Sequence, residues 1–162
     1  MALDKEIKEQ LAQYLALLES EVVFQASLAS DDNSIKVKEF LEEIVAMSPM
    51  ISLEELSLSR TPSFKIAKKG QPSGVVFAGL PLGHEFTSFI LALLQVSGRA
   101  PKVEENIIEQ IKAIKEPHTF ETYVSLTCHN CPDVVQALNL MSVLNPRIKH
   151  TAIDGGTFQN EI

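Results

Sequence analysis

The chain has 162 residues, 45% of them apolar and 22% charged, and a net charge of −7 at pH 7. This is ordinary globular composition, and the length suits one domain or two small ones. The negative charge, with no Lys/Arg cluster, argues against a nucleic-acid-binding surface, and the longest apolar run, residues 89–94, is too short to cross a bilayer.

Residues 1–97 carry the hydrophobic periodicity of a complete small α/β unit. The predicted order is helix, strand, helix, strand, strand, strand, helix, over residues 3–18, 22–28, 35–47, 51–56, 63–68, 75–79 and 85–96. The Gly/Pro-containing turn between the fifth and sixth elements predicts a hairpin. Strand aromatics usually pack inward, so we expect Phe24, Phe77 and Tyr123 in the core.

A second unit begins after the junction Ser97–Pro101, so we place the domains at residues 1–100 and 101–162. Its predicted helix, strand, helix and strand cover residues 107–114, 120–126, 134–144 and 148–153. Sliding the chain along itself by 98 residues aligns Ser27-Leu28 with Ser125-Leu126. The shared order of elements, more than the few identities, indicates an internal repeat.

The two copies differ in their cysteines and in their length. Ser30 and Asn33 stand where the second copy has Cys128 and Cys131, so the first copy cannot perform dithiol chemistry. The second copy also lacks the two closing strands and the last helix of the first. A sheet that ended there would leave strand edges and an apolar face uncovered, so we expect a fragment or a chain completed by another.

Cys128 and Cys131 are the only cysteines of the sequence. They lie between a predicted strand and a predicted helix. This arrangement is typical of a dithiol redox centre. Residues 1–9 are charged and polar, unlike a signal peptide, so we expect a cytoplasmic protein without a structural disulfide framework. Zinc is the alternative, but it needs two more ligands, and His118, His129 and His150 lack the spacing of a second C-x-x-C.

Three longer runs carry a resemblance to a known family. They are SLTCHNCPDVVQALNLM at 125–141, NPRIKHTAIDGG at 145–156 and PLGHEFTS at 81–88. These runs resemble the N-terminal region of the alkyl hydroperoxide reductase F subunit, the flavoprotein that reduces a peroxiredoxin. The resemblance covers the whole chain. It implies an α/β protein with tandem thioredoxin-like folds, the first complete and without cysteines, the second incomplete at its C-terminus.

The same resemblance implies an enzyme module, a disulfide oxidoreductase of an NADH-dependent peroxiredoxin reductase. A flavin domain outside this chain would reduce the cysteine pair, and the dithiol would reduce the peroxiredoxin. We expect no cofactor and no metal on this chain, FAD and NADH on the full-length protein, a full-length homodimer, and no nucleic acid or membrane as partner. The alternative is a non-catalytic module that docks the peroxiredoxin or the flavin domain.

Four side chains are the candidate site residues. Cys128, expected in the first turn of a helix whose N–H groups favour a thiolate, would be the nucleophile, and Cys131 would resolve the mixed disulfide. Glu85 is a candidate proton shuttle, although an acid at a helix start is also favoured by the dipole alone. His129 would tune the redox pair or shape the partner surface. By resemblance, the Thr61–Pro62 bond is expected to be cis.

Overall fold

The computed structural model describes residues 3–162. Its helices and strands are α1 Lys5–Leu15, β1 Val22–Ser27, α2 Asp32–Met47, β2 Ile51–Glu55, β3 Ser63–Lys68, β4 Val75–Ala78, α3 Phe86–Ser97, α4 Glu105–Lys112, β5 His118–Val124, α5 Cys131–Leu144 and β6 Ile148–Asp154, with short 3-10 helices at Gly83–Glu85 and Gln159–Glu161. This order of elements confirms the prediction. Of the helices within the described range, none is long and apolar enough to span a membrane.

Local side-chain hydrogen bonds explain where several helices begin and end. The Asp4 carboxylate accepts from the backbone N–H of Ile7 at 2.8 Å and so caps α1. Asp31 caps α2 in the same way through Ser34. At the other end of the first unit, α3 stops at Gly98, whose φ of 118° is a left-handed conformation that glycine adopts without steric cost.

The first unit forms the half-sheet β2-β1-β3-β4. β1 is parallel to β2 and antiparallel to β3, and β3 and β4 form the predicted antiparallel hairpin. The parallel pair joined by a helix, followed by a hairpin and a final helix, is the arrangement of a thioredoxin-like fold. The cis bond expected between Thr61 and Pro62 is confirmed.

The second unit continues the same sheet. β5 and β6 are parallel, as β1 and β2 are, and β6 also pairs in parallel with β4, which gives six strands in the order β2-β1-β3-β4-β6-β5. The expectation of uncovered strand edges is therefore wrong for β6, because β4 supplies its partner. β5 is the outermost strand, and its residues 118–121 are exposed.

Aromatic side chains fill the centre of the first unit. The ring centroid of Phe89, in α3, lies 5.1 Å from that of Phe40 in α2. It lies 6.0 Å from the centroid of Phe24 and 6.1 Å from that of Phe77. The core positions predicted for Phe24 and Phe77 are confirmed. The core position predicted for Tyr123 is wrong: its side chain is 42% exposed, since it lies on the outermost strand of the sheet.

Candidate active site

Cys128 and Cys131 form a disulfide between the end of β5 and the start of α5. Their Cα atoms are 5.6 Å apart, and both residues are half-buried. A turn presents Cys128, because its N–H donates to the carbonyl of Ser125 at 2.9 Å. Cys131 packs against the hydrophobic core. The Cys128 side chain therefore lies in the loop before α5, whereas the Cys131 side chain contacts the hydrophobic core.

Cys128 lies outside the helix, which corrects its predicted place in the first turn. α5 begins at Cys131, and its N-cap residue Asn130 makes no side-chain capping bond. The backbone N–H of Cys131 points instead at the Cys128 sulfur, with a nitrogen–sulfur distance of 3.3 Å. A free N–H at a helix start stabilises negative charge, so this donor would favour a Cys128 thiolate once the disulfide is reduced.

The first unit holds the loop that precedes the disulfide. The backbone N–H of His84 donates to the carbonyl of Leu126 at 3.0 Å. Gly83, with φ of 59°, allows this approach: a Cβ at this position would lie 2.6 Å from the same carbonyl oxygen. The short Gly83–Glu85 helix is therefore in direct contact with the segment that carries Cys128.

Glu85 is buried at this junction, with 1% of its surface exposed. Neither carboxyl oxygen has a hydrogen-bond partner within residues 3–162. Burial raises the pKa of the Glu85 carboxyl above its usual range, while the neighbouring Ser88 hydroxyl and His84 imidazole lower it in part. A cavity of about 10 Å³ lies between Glu85, Val124 and Leu126, close to the volume that one water molecule needs.

Two exposed imidazoles meet beside the disulfide. The rings of His84 and His129 have centroids 4.4 Å apart, with 60° between their planes. His84 belongs to the first unit, and His129 lies between the two cysteines. The structure thus brings four predicted residues into one region, and His84 and Glu85 reach it from the other unit.

The other two histidines lie apart from the disulfide. His118, exposed at the start of β5, stacks on Phe120, and buried His150 uses both ring nitrogens in hydrogen bonds. Across residues 3–162, no group of three or more His, Cys, Asp or Glu side chains is arranged to hold a metal ion. In the first unit, the position corresponding to the disulfide loop holds the Asp31 cap of α2, and Ser30 and Asn33 are exposed.

Two polar networks of the structure have no counterpart among the sequence predictions. Asn139, His150 and Thr122 form a buried chain of hydrogen bonds between α5, β6 and β5. On the surface, Arg60 contacts Glu121 at 2.7 Å and Glu161 at 2.8 Å. No signal in the sequence alone pairs these residues, because each contact depends on which strands become neighbours.

No family model matches the chain. Curated proteins, however, align with nearly all or all of its residues. The alkyl hydroperoxide reductase F subunit of Staphylococcus epidermidis is 58% identical over 159 residues, which are 98% of this chain and 31% of that protein. A Bacillus subtilis protein named NADH dehydrogenase is 55% identical over 162 residues, all of this chain and 32% of that protein. The chain spans about a third of the length of the curated relatives it matches.

A solved structure agrees with these sequence matches. The NTD_N/C domain of alkylhydroperoxide reductase AhpF from Enterococcus faecalis superposes with a TM-score of 0.89 and 29% identity. The superposition covers 98% of this chain and 83% of that one. Both halves of the six-stranded sheet are therefore included in the match.

Proposed function

We infer that this chain, which is related over its whole length to the N-terminal region of the alkyl hydroperoxide reductase flavoprotein AhpF, relays electrons by thiol–disulfide exchange. It would pass reducing equivalents from a flavin/NADH domain to the disulfide of a peroxiredoxin and so support hydroperoxide reduction. The observation that carries this proposal is the half-buried Cys128–Cys131 disulfide, with a helix N–H directed at the Cys128 sulfur.

The proposed cycle begins with the reduced pair. The Cys128 thiolate attacks a sulfur of the peroxiredoxin disulfide, forms a mixed disulfide and releases one partner thiolate. Cys131 then loses its proton, attacks the Cys128 sulfur as a thiolate and releases the second partner thiolate, and each released thiolate takes up one proton. The partner gains two electrons and two protons, and the Cys128–Cys131 disulfide is restored for reduction by the flavin domain. Cys131 suits the resolving role because its side chain packs against the hydrophobic core, whereas Cys128 lies in the loop before α5.

Glu85 is proposed to supply a proton in this cycle. Its raised pKa favours the protonated acid, which can donate to a departing thiolate. The small cavity that Glu85 shares with Leu126 gives room for a bridging water near the loop that carries Cys128. An acid that only favours the start of a helix remains exposed to solvent. Glu85 differs, because it is buried and its carboxyl oxygens have no hydrogen-bond partner within residues 3–162.

His129 is proposed to tune the reduction potential and to shape the surface that meets the partner. It is exposed, it lies between the two cysteines, and its ring contacts that of His84. A positive charge on either ring would stabilise the nearby thiolate. We further propose that the full-length protein is a cytoplasmic homodimer that binds FAD and NADH, and that residues 1–100 and 101–162 are its first two folding units.

The relay is tested by reducing the chain, removing the reductant, and following the loss of a peroxiredoxin disulfide or of insulin disulfides. Wild type should reduce the substrate stoichiometrically, whereas Cys128→Ser should not. Cys131→Ser keeps the nucleophile and should accumulate a mixed disulfide detectable by intact mass. Equal results for wild type and Cys128→Ser would reject the relay and favour a docking module without redox chemistry.

The Glu85 role needs its own variant. Glu85→Gln keeps the size of the side chain and removes the acid, so reduction of the partner should slow by ~10²-fold or more, as for loss of a general acid. Glu105→Gln is the matched control, because Glu105 is an exposed acid in the first turn of α4. An unchanged reduction rate and unchanged pH dependence of Cys128 alkylation in Glu85→Gln would refute the shuttle.

A further inference from the structure

A side-chain hydrogen bond joins the two units one helical turn beyond Glu85. The amide nitrogen Nε2 of Gln136, in α5, donates to the hydroxyl oxygen of Ser88, in α3, at 3.2 Å. Ser88 is fully buried, and Gln136 is half-buried. Gln136 lies five residues beyond Cys131, which is roughly 7.5 Å along a helix. The contact is therefore within two helical turns of Cys131, on the helix that this cysteine begins.

This hydrogen bond leaves the Ser88 hydroxyl hydrogen free. A glutamine amide nitrogen can only donate, so the Ser88 oxygen is the acceptor and the hydroxyl keeps its own hydrogen for a second bond. Ser88 Oγ forms no other hydrogen bond within residues 3–162. A hydroxyl that already accepts one hydrogen bond is polarised and donates more strongly. Ser88 thus provides an unused donor inside the protein.

The Glu85 carboxyl is placed to accept from this hydroxyl. Glu85 precedes Ser88 by three residues at the start of α3, and side chains three apart in a helix lie on the same face. Glu85 is buried, and neither of its carboxyl oxygens has a hydrogen-bond partner within residues 3–162. A carboxylate in such a place needs a donor more than the protonated acid does. The Ser88 hydroxyl accordingly lowers the pKa of Glu85, against the rise that burial causes.

Few other charges lie near Glu85. His84 adjoins it in the short Gly83–Glu85 helix, and the ring of His84 contacts that of His129. Asp154 of β6 lines the same small cavity as Glu85. α3 has no charged side chain, and α5 has only Asp133, which is exposed. Substitutions at Ser88 and Gln136 leave all of these charges in place, so their effect on Glu85 reports the hydrogen bonds.

We propose that Ser88, oriented by Gln136, is a positioning residue that donates a hydrogen bond to the Glu85 carboxylate once Glu85 has given up its proton. One proton moves from the Glu85 carboxyl to the departing thiolate, and the carboxylate that remains accepts the Ser88 O–H while Gln136 still donates to Ser88. A proton from solvent water later restores the acid. The helix that carries Cys131 thereby orients the donor to Glu85. This inference rests on the proton-donor role proposed above for Glu85.

The test follows the pH titration of the Glu85 carboxyl carbon by NMR, in the whole oxidised chain ¹³C-labelled at glutamate. The resonance that disappears in Glu85→Gln belongs to Glu85. Ser88→Ala should raise the pKa of Glu85 above the wild-type value, because the carboxylate loses its donor. Gln136→Leu should raise it by less, since the hydroxyl remains but is no longer oriented.

The matched control is Ser142→Ala, which removes another buried serine hydroxyl, in the last turn of α5. Glu85 should titrate in this variant as it does in wild type. An unchanged pKa of Glu85 in Ser88→Ala would overturn the proposal and show that the hydroxyl donates to the backbone, as helical serines also can. Equal shifts in Ser88→Ala and Ser142→Ala would overturn it as well, because they would indicate a general loosening of the fold. No shift in Gln136→Leu would refute the orienting role of Gln136.

Failure of the proton-donor role gives a different result. In that case Glu85→Gln reduces the peroxiredoxin disulfide at the wild-type rate, while Ser88→Ala still raises the pKa of Glu85. If both proposals hold, the fall in reduction rate that accompanies deprotonation of Glu85 should move to higher pH in Ser88→Ala. The titration needs no redox activity, so the two proposals are tested separately.

Discussion

His150 should make the protein lose stability in mild acid. Its imidazole is fully buried in β6, where Nδ1 lies 2.7 Å from Asn139 Oδ1 and Nε2 lies 2.8 Å from Thr122 Oγ1. The amide oxygen can only accept, so Nδ1 donates and Nε2 accepts the Thr122 hydroxyl. A second ring proton would oppose that hydroxyl and place a charge in the core. Burial accordingly lowers the pKa of His150 to about 4, against an ordinary value of 6.5.

The sign and size of the effect follow from proton linkage. The folded pKa lies below the unfolded one, so the unfolded chain binds more protons as the pH falls. The contribution of neutral His150 is complete above pH 6.5 and is lost progressively towards pH 4. At pH 5 the loss is about 2 kcal/mol, and its limit below pH 4 is about 3.4 kcal/mol.

Urea unfolding at several pH values between 7.5 and 5, with the disulfide intact, measures this loss. His150→Gln should be less stable than wild type at pH 7.5, since a buried hydrogen-bond network is disturbed. It should, however, lose about 2 kcal/mol less than wild type between pH 7.5 and 5. His118→Gln, which removes an exposed imidazole, is the control and should follow the wild-type curve. If the wild-type and His150→Gln curves run parallel, the reasoning fails.

Two further predictions concern stability at neutral pH, and both are measured as the free energy of unfolding in urea. Gly83→Ala should cost at least ~1 kcal/mol more than Gly70→Ala. Both glycines have positive φ, but only at Gly83 would the new Cβ meet a backbone oxygen, that of Leu126, at 2.6 Å; equal costs would contradict this contact. Phe89→Ala should cost about 3–5 kcal/mol because it empties the aromatic core, whereas Val134→Ala, at a side chain 50% exposed, should stay within ~0.5 kcal/mol. A small loss for Phe89→Ala would show that the core repacks.

Local patterns in the sequence predicted the elements and the cysteine pair well. The hydrophobic period distinguishes helix from strand, and the turn chemistry at residues 70–74 predicted the hairpin. The predicted strand before Cys128, residues 120–126, lies two residues later than β5, because Leu126 continues the alternation of apolar residues after Val124 although the chain has already turned. The first residue of α5, Cys131, could not be predicted either. Hydrophobic periodicity does not show which of the two cysteines begins the helix.

The sequence predicts which residues form the candidate site, but not their burial or the contacts that surround them. Cys128, Cys131 and His129 are neighbours in the chain, so their proximity required no tertiary information. For Glu85 the sequence leaves two interpretations open, an acid favoured at a helix start and a proton shuttle beside the cysteines. The burial of Glu85 beside Leu126, and the contact of His84 with His129, depend on how one unit packs on the other.

The order of strands shows most clearly what the sequence by itself determined and what only the tertiary structure decided. Two repeated units, one with a cysteine pair and one without, can be identified from the residues alone. The pairing of β4 with β6 cannot, because a strand edge presents the same backbone donors and acceptors whatever its side chains. That single pairing joins the units and brings Glu85 and His84 to the disulfide loop.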